Sequence, residues 1–168
     1  MKKKIVIIII SILIIIGIII GVIFATRNVN NNLNIASVND MGNFIDDLYT
    51  GLTLQTSLNS MELDINNMDL VKSYTGLDNT EGIEHIVVSE SMISTEAYSL
   101  ILVKCENEER ASQIASEMSE NISLSDKWIS ASDIKTYYAT NGDLVFLVMS
   151  NDDWAKPVYD KFVELSNN

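Results

Sequence analysis

IKTYYATNGDLVFLVMS (residues 134–150) places two β-branched, apolar runs on either side of Asn141-Gly142. That dipeptide between such runs is a strong hairpin signal, because a type I′ turn needs positive φ at both central positions and these two residues tolerate it. The stretch therefore reads as strand 134–140, a turn at Asn141-Gly142, and strand 143–150. Upstream, IEHIVVSESM (83–92) and AYSLILVKC (97–105) form a second strand pair separated by residues 93–96. The latter is apolar on both faces through Leu100, Ile101, Leu102 and Val103, as a central strand should be. The former is mixed, which suits a strand with one wet face.

A helix follows each pair. Asn107 caps the first, with Glu108 and Glu109 well placed in its opening turn and Ala111, Ile114, Ala115, Met118 and Ile122 as its apolar stripe. The second begins at Asp152 or Asp153, carries Trp154, Val158, Phe162 and Leu165 on one side, and tolerates Pro157 only near its start. Ahead of all four strands, DMGNFIDDLYTGL (40–52) predicts a short amphipathic helix capped by Asp40 and ending near Gly51. Leu70, Val71 and Tyr74 face inward on a single turn closed by Gly76. The order αββαββα predicts an α+β domain over residues 40–168, with a four-stranded, mostly antiparallel sheet covered by helices on one face.

Before that domain lies IVIIIISILIIIGIIIGVIFA (5–25), twenty-one residues without a charge, thirteen of them isoleucine. About 20 apolar residues rising 1.5 Å each match a hydrocarbon core of about 30 Å. The run is longer than the roughly 7–15 residues of a cleavable signal and lacks a small-x-small cleavage site, so it is expected to stay as a transmembrane anchor. Lys2, Lys3 and Lys4 precede it against Arg27 after it, which places a cytoplasmic stub (1–4) inside and the rest outside the membrane. Gly17 and Gly21 form a small-xxx-small pair, a weak signal for association of two such helices. Residues 26–39 contain six asparagines from Asn28 to Asn39 and read as a flexible linker.

All 23 acidic residues lie beyond Arg27, with only seven basic ones, so the outer part carries a balance of −16. Such a surface repels nucleic acid, whose binding depends on neutralising phosphates, and stands off anionic headgroups. The single cysteine, Cys105, makes no intramolecular disulfide, and no lipid-bearing cysteine follows the apolar run.

Three segments, SYTGLD, AYSLILVKCENEERA and NGDLVFLVMSNDDWAKPVYDKF, in this order, resemble a family of small extracytoplasmic proteins of Gram-positive anaerobes catalogued as domain of unknown function 4358. The likeness covers residues 44–165. Members usually look like lipoproteins, whereas this chain has an apolar helix instead, and its NISLSDKWISASD segment is shorter. The resemblance implies location and fold and supplies no catalytic residues.

Candidate chemistry is sparse. His85 is the only histidine and has a structural or surface reading in preference to a zinc or base role. Cys105 ends an apolar strand beside Lys104, which would lower its pKa, but a buried small hydrophobe is the simpler description. Asp152 and Asp153, and likewise Glu106, Glu108 and Glu109, are explained by helix capping and dipole, with paired-carboxylate chemistry as the alternative. Tyr137, Tyr138, Trp128 and Trp154 are the aromatics to watch, since adjacent strand tyrosines point to opposite faces and an exposed ring stacks on a sugar or a partner. No P-loop, G-x-S-x-G, G-x-G-x-x-G or calcium loop occurs, and no cofactor or metal is expected. The resulting expectation is a single-pass, membrane-anchored extracytoplasmic module that binds an envelope protein or wall component without catalysis. The alternative is a carboxylate-dependent enzyme acting on a wall substrate, and a homo-oligomer is a further option.

Overall fold

A computed structural model describes residues 33–167 apart from 55, 94, 124–127 and 129–132. The apolar run and the Gly17–Gly21 pair lie outside the described residues, within which no helix is long and apolar enough to cross a membrane. The elements are α1 (Val38–Tyr49), β1 (Leu58–Glu62), α2 (Met68–Thr75), β2 (Ile83–Ser91), β3 (Tyr98–Cys105), α3 (Glu108–Asn121), β4 (Lys135–Asn141), β5 (Leu144–Ser150) and α4 (Asp152–Leu165). The strands form one sheet in the order β1-β2-β3-β5-β4, every neighbouring pair antiparallel.

The sheet thus has five strands where four were expected. The added strand, β1, reads LNSME; Leu58 is half-buried and the other four residues are exposed. Without a buried face there is no period-two pattern for the sequence to display. Helices also cover both faces where one was expected. Leu100, Leu102, Phe146 and Val148 meet α1 and α4, while Ile101, Val103, Val145 and Leu147 meet α2 and α3. A sheet whose central strands are apolar on both sides must be shielded on both, and the expected single turn around Val71 is a two-turn helix that helps to do so. On the α1/α4 face, Phe162 stacks on Phe146 at 4.4 Å and meets Phe44 edge-on at 6.0 Å.

The hairpin turns one residue later than expected. Asn141 pairs with Leu144, so Gly142-Asp143 is the two-residue loop. Gly142 has φ 55° and Asp143, like every described non-glycine residue, does not have positive φ, which fits a type II′ turn with glycine first and not a type I′ turn. Asn141 is instead engaged by the start of the fold: the Leu33 N–H donates to its Oδ1 at 2.8 Å.

That contact shortens the expected linker. Residues 33–37 run beside the β4–β5 turn, Ile35 is buried, and α1 begins at Val38 with Ser37 as its cap, three residues ahead of the expected Asp40. Ser37 Oγ accepts from the Asp40 N–H while Asp40 Oδ2 accepts from Ser37 Oγ and the Ala36 N–H. This is a capping box with aspartate in the third helical position. At the other side of the molecule, Gly76 ends α2 at φ 74°, packed directly on the backbone of Asn121 and Ile122 at the end of α3.

Candidate functional site

The sequence candidates do not converge. His85 Nδ1 lies 3.1 Å from Glu62 Oε1 near the surface, tying β2 to β1. Cys105 is fully buried on the α2/α3 face, and burial pushes its thiol up to about 12. Lys104 alternates to the other face and pairs with Asp143 at 2.6 Å, and the pull of its charge on the thiol is outweighed by burial. Cys105 is therefore a core residue and no nucleophile at neutral pH.

The acidic pairs occupy helix starts. Asp152 and Asp153 open α4 behind the Asn151 cap, and Asp152 accepts from the Tyr137 hydroxyl, which holds that phenol up at about 12. Glu108 and Glu109 open α3 behind Asn107, whose side chain accepts from the Arg110 N–H at 2.9 Å. The aromatic quartet divides between the faces. Tyr137 and Trp154 pack on the α1/α4 side, with Tyr137 5.2 Å from Tyr159, whereas Tyr138 and Trp128 pack on the α2/α3 side. All four are partly buried supports of the sheet and form no common platform.

The surface hollows are shallow. One, of about 380 Å³, lies where α2 and α3 end, lined by Lys72, Gly76, Asp78 and Asn121, and its two charges pair with each other. A second gathers Glu81, Glu106 and Glu109 around Arg110. There Arg110 donates to the Glu81 carbonyl at 2.7 Å, to Gln113 and to Glu117, and so pins the 77–82 loop to α3. Among the described residues no group of three or more His, Cys, Asp or Glu side chains is arranged to hold a metal ion.

What sequence reasoning missed is the edge strand. Met92 N–H donates to Ser57 carbonyl and Leu63 N–H to Ile86 carbonyl, and both pairs share the β1–β2 register. In an antiparallel ladder alternate residues bond the neighbour, so Asn59 and Met61 bond β2 while the backbone groups of Leu58, Ser60 and Glu62 point outward. Among the described residues no backbone group bonds these outward positions. Met61 beside them is 40% exposed.

Fold and surface together define an acidic, three-layer α+β domain with β1 at one sheet edge, its outward backbone groups unbonded among the described residues. The chain matches no protein-family model, no curated protein and no solved structure.

Proposed function

We propose that the protein is a single-pass membrane protein whose acidic domain, outside the cytoplasmic membrane, binds another envelope component without catalysing a reaction. The observation that carries this reading is the tie between Leu33 and Asn141. It leaves only residues 28–32 between Arg27 and the folded domain, a span of about 20 Å at full extension. A domain on so short a leash is placed to be held at a membrane surface. Its accessible features are an open edge and paired charges, which suit recognition. The resemblance to domain of unknown function 4358 supports the same location. The carboxylate-enzyme alternative needs two acids converging in a hollow; the acids that gather beside α3 surround Arg110 in an open depression.

A periplasmic-type reporter fused after Asn168 is expected to be active only outside the cytoplasm, and activity inside would overturn the anchor reading. In-cell crosslinking of the full chain is expected to recover an envelope protein or wall fragment reproducibly, and turnover of a wall fragment by the purified chain would favour the enzyme instead.

A further inference from the structure

We infer that β1 is a docking edge for an extended, cationic segment of a partner protein, which adds to the sheet as a sixth strand; the inference deepens the binding-module reading above. Three observations carry it. The N–H and C=O groups of Leu58, Ser60 and Glu62 face away from β2 with no described backbone partner, a ready template for another strand. Of the devices that blunt a sheet edge, lysine, proline and a bulge are absent from LNSME.

Charge is the third observation. Glu62, Asp64, Glu84 and Glu90 lie on or beside β1 and β2, and these two strands carry no lysine or arginine. Side chains of an added strand alternate between the faces. On the face of Leu58, Ser60 and Glu62 they meet the Glu62 carboxylate, and on the other face they meet the exposed Met61 with Glu90 behind it on β2. The complementary segment is thus cationic, with an apolar residue set against Met61.

A second copy of this chain fits less well. Two β1 strands paired antiparallel bring two acidic edges together. They also invert one domain relative to the other, because β1 runs toward the end of the sheet where Leu33 is tied and its antiparallel copy runs away from it. The nine residues of β2 span about 30 Å, and a leash of about 20 Å does not let an inverted copy reach the same membrane.

The test uses the full chain in lipid nanodiscs and a synthetic nine-residue peptide alternating lysine and valine. Amide exchange at Leu58, Ser60 and Glu62 is expected to slow by at least about tenfold with this peptide. It should be unchanged with the same peptide N-methylated on alternate backbone nitrogens, or with glutamate in place of lysine. Ser60→Pro removes an outward N–H and leaves the β2 ladder intact, since proline is accepted at such edge positions; it is expected to fold and to lose the protection. Equal protection by the N-methylated peptide, no protection by the lysine peptide, or protection that appears without peptide as protein concentration rises would each overturn the inference. The last result would assign the edge to a second copy. Should Ser60→Pro fail to fold, the N-methylated peptide still decides. None of these readouts depends on which side of the membrane the domain occupies, so a failed reporter assay and a failed docking assay are distinguishable.

Discussion

Leu33 and Asn141 are separated by 108 residues, yet the backbone N–H of the first donates to the side-chain oxygen of the second at 2.8 Å. The contact fastens the segment that enters the fold to the turn between the last two strands, and Ile35 inserts into the α1/α4 core directly behind it. Asn141→Ala is expected to cost about 1 kcal/mol, the net worth of a typical hydrogen bond. The same change should raise amide exchange and proteolysis over residues 33–36 while β3 stays protected. Unchanged protection of that segment would show that Ile35 alone holds it.

Gly76 and Gly51 make a controlled pair. Both have positive φ, 74° and 80°, but a Cβ at Gly76 would sit 2.8 Å from the Asn121 carbonyl carbon, whereas nothing lies within 4 Å of one at Gly51. Gly51→Ala is expected to cost about 1 kcal/mol for the left-handed backbone alone. Gly76→Ala must also push apart the ends of α2 and α3, and a total of about 3 kcal/mol is expected. Denaturant midpoints of the two variants measure the difference, and equal costs would mean that the α3 end yields freely.

The hairpin, both strands of the β2–β3 pair and all three long helices were legible in the sequence because each buries a patterned face. Asn107 and Gly76 were legible as helix boundaries because capping leaves a residue-type signature. The second helical layer was half-visible: Leu100 to Val103 required cover on both sides, but the short MDLVKSYT segment did not show how much it would provide. β1 had no pattern to show, since it is held by backbone bonds to β2 and by Leu58. The turn shift arose from Asn141, whose side chain serves a tertiary contact that local turn preferences do not contain. As an interaction surface, the edge follows from hydrogen-bond parity, which is visible only once the register is known.

The helix cap at α1 predicts a particular acid response. The hydroxyl of Ser37, with the Ala36 N–H, holds the Asp40 carboxyl below its ordinary value of 3.8. A depressed folded-state pKa contributes stability that is present above the unfolded value and is lost as pH falls through the folded one. Ser37→Ala is expected to cost about 1 kcal/mol at neutral pH. The gap between variant and parent should then narrow as pH drops below 3.8. A gap independent of pH would assign the cap to the Ser37 hydroxyl without the carboxylate.

Alkaline stability is governed by groups that fold neutral. Burial raises Cys105 from 9.0 to about 12, and burial likewise raises Tyr49 from 10.0 to about 12, beside the buried Tyr98 that donates to it. A raised folded-state value means stability that is complete below the unfolded pKa and declines as pH rises toward the folded one. Loss is therefore expected to begin near pH 9 with the thiol and steepen above 10 with the phenols. Each ionising group contributes up to about 1.4 kcal/mol per pH unit. Cys105→Ala should remove the decline between pH 9 and 10 and leave the later one. A decline in that window unchanged by the substitution would place its source elsewhere.

Lys104 and Asp143 test how an acidic domain keeps a buried cation. The lysine side chain is 11% exposed and the aspartate 36%, with 2.6 Å between their charged atoms. Removing the carboxylate leaves the ammonium desolvated, so Asp143→Ala is expected to destabilise by about 1–2 kcal/mol, below the 3–5 kcal/mol of a fully enclosed pair because Asp143 is partly solvated. Lys104→Met deletes the charge but keeps the length, and the aspartate regains water. It is expected to be nearly neutral and, combined with Asp143→Ala, to recover most of the loss. A double variant as unstable as Asp143→Ala alone would show that Asp143 acts through the turn at Gly142 and not through Lys104.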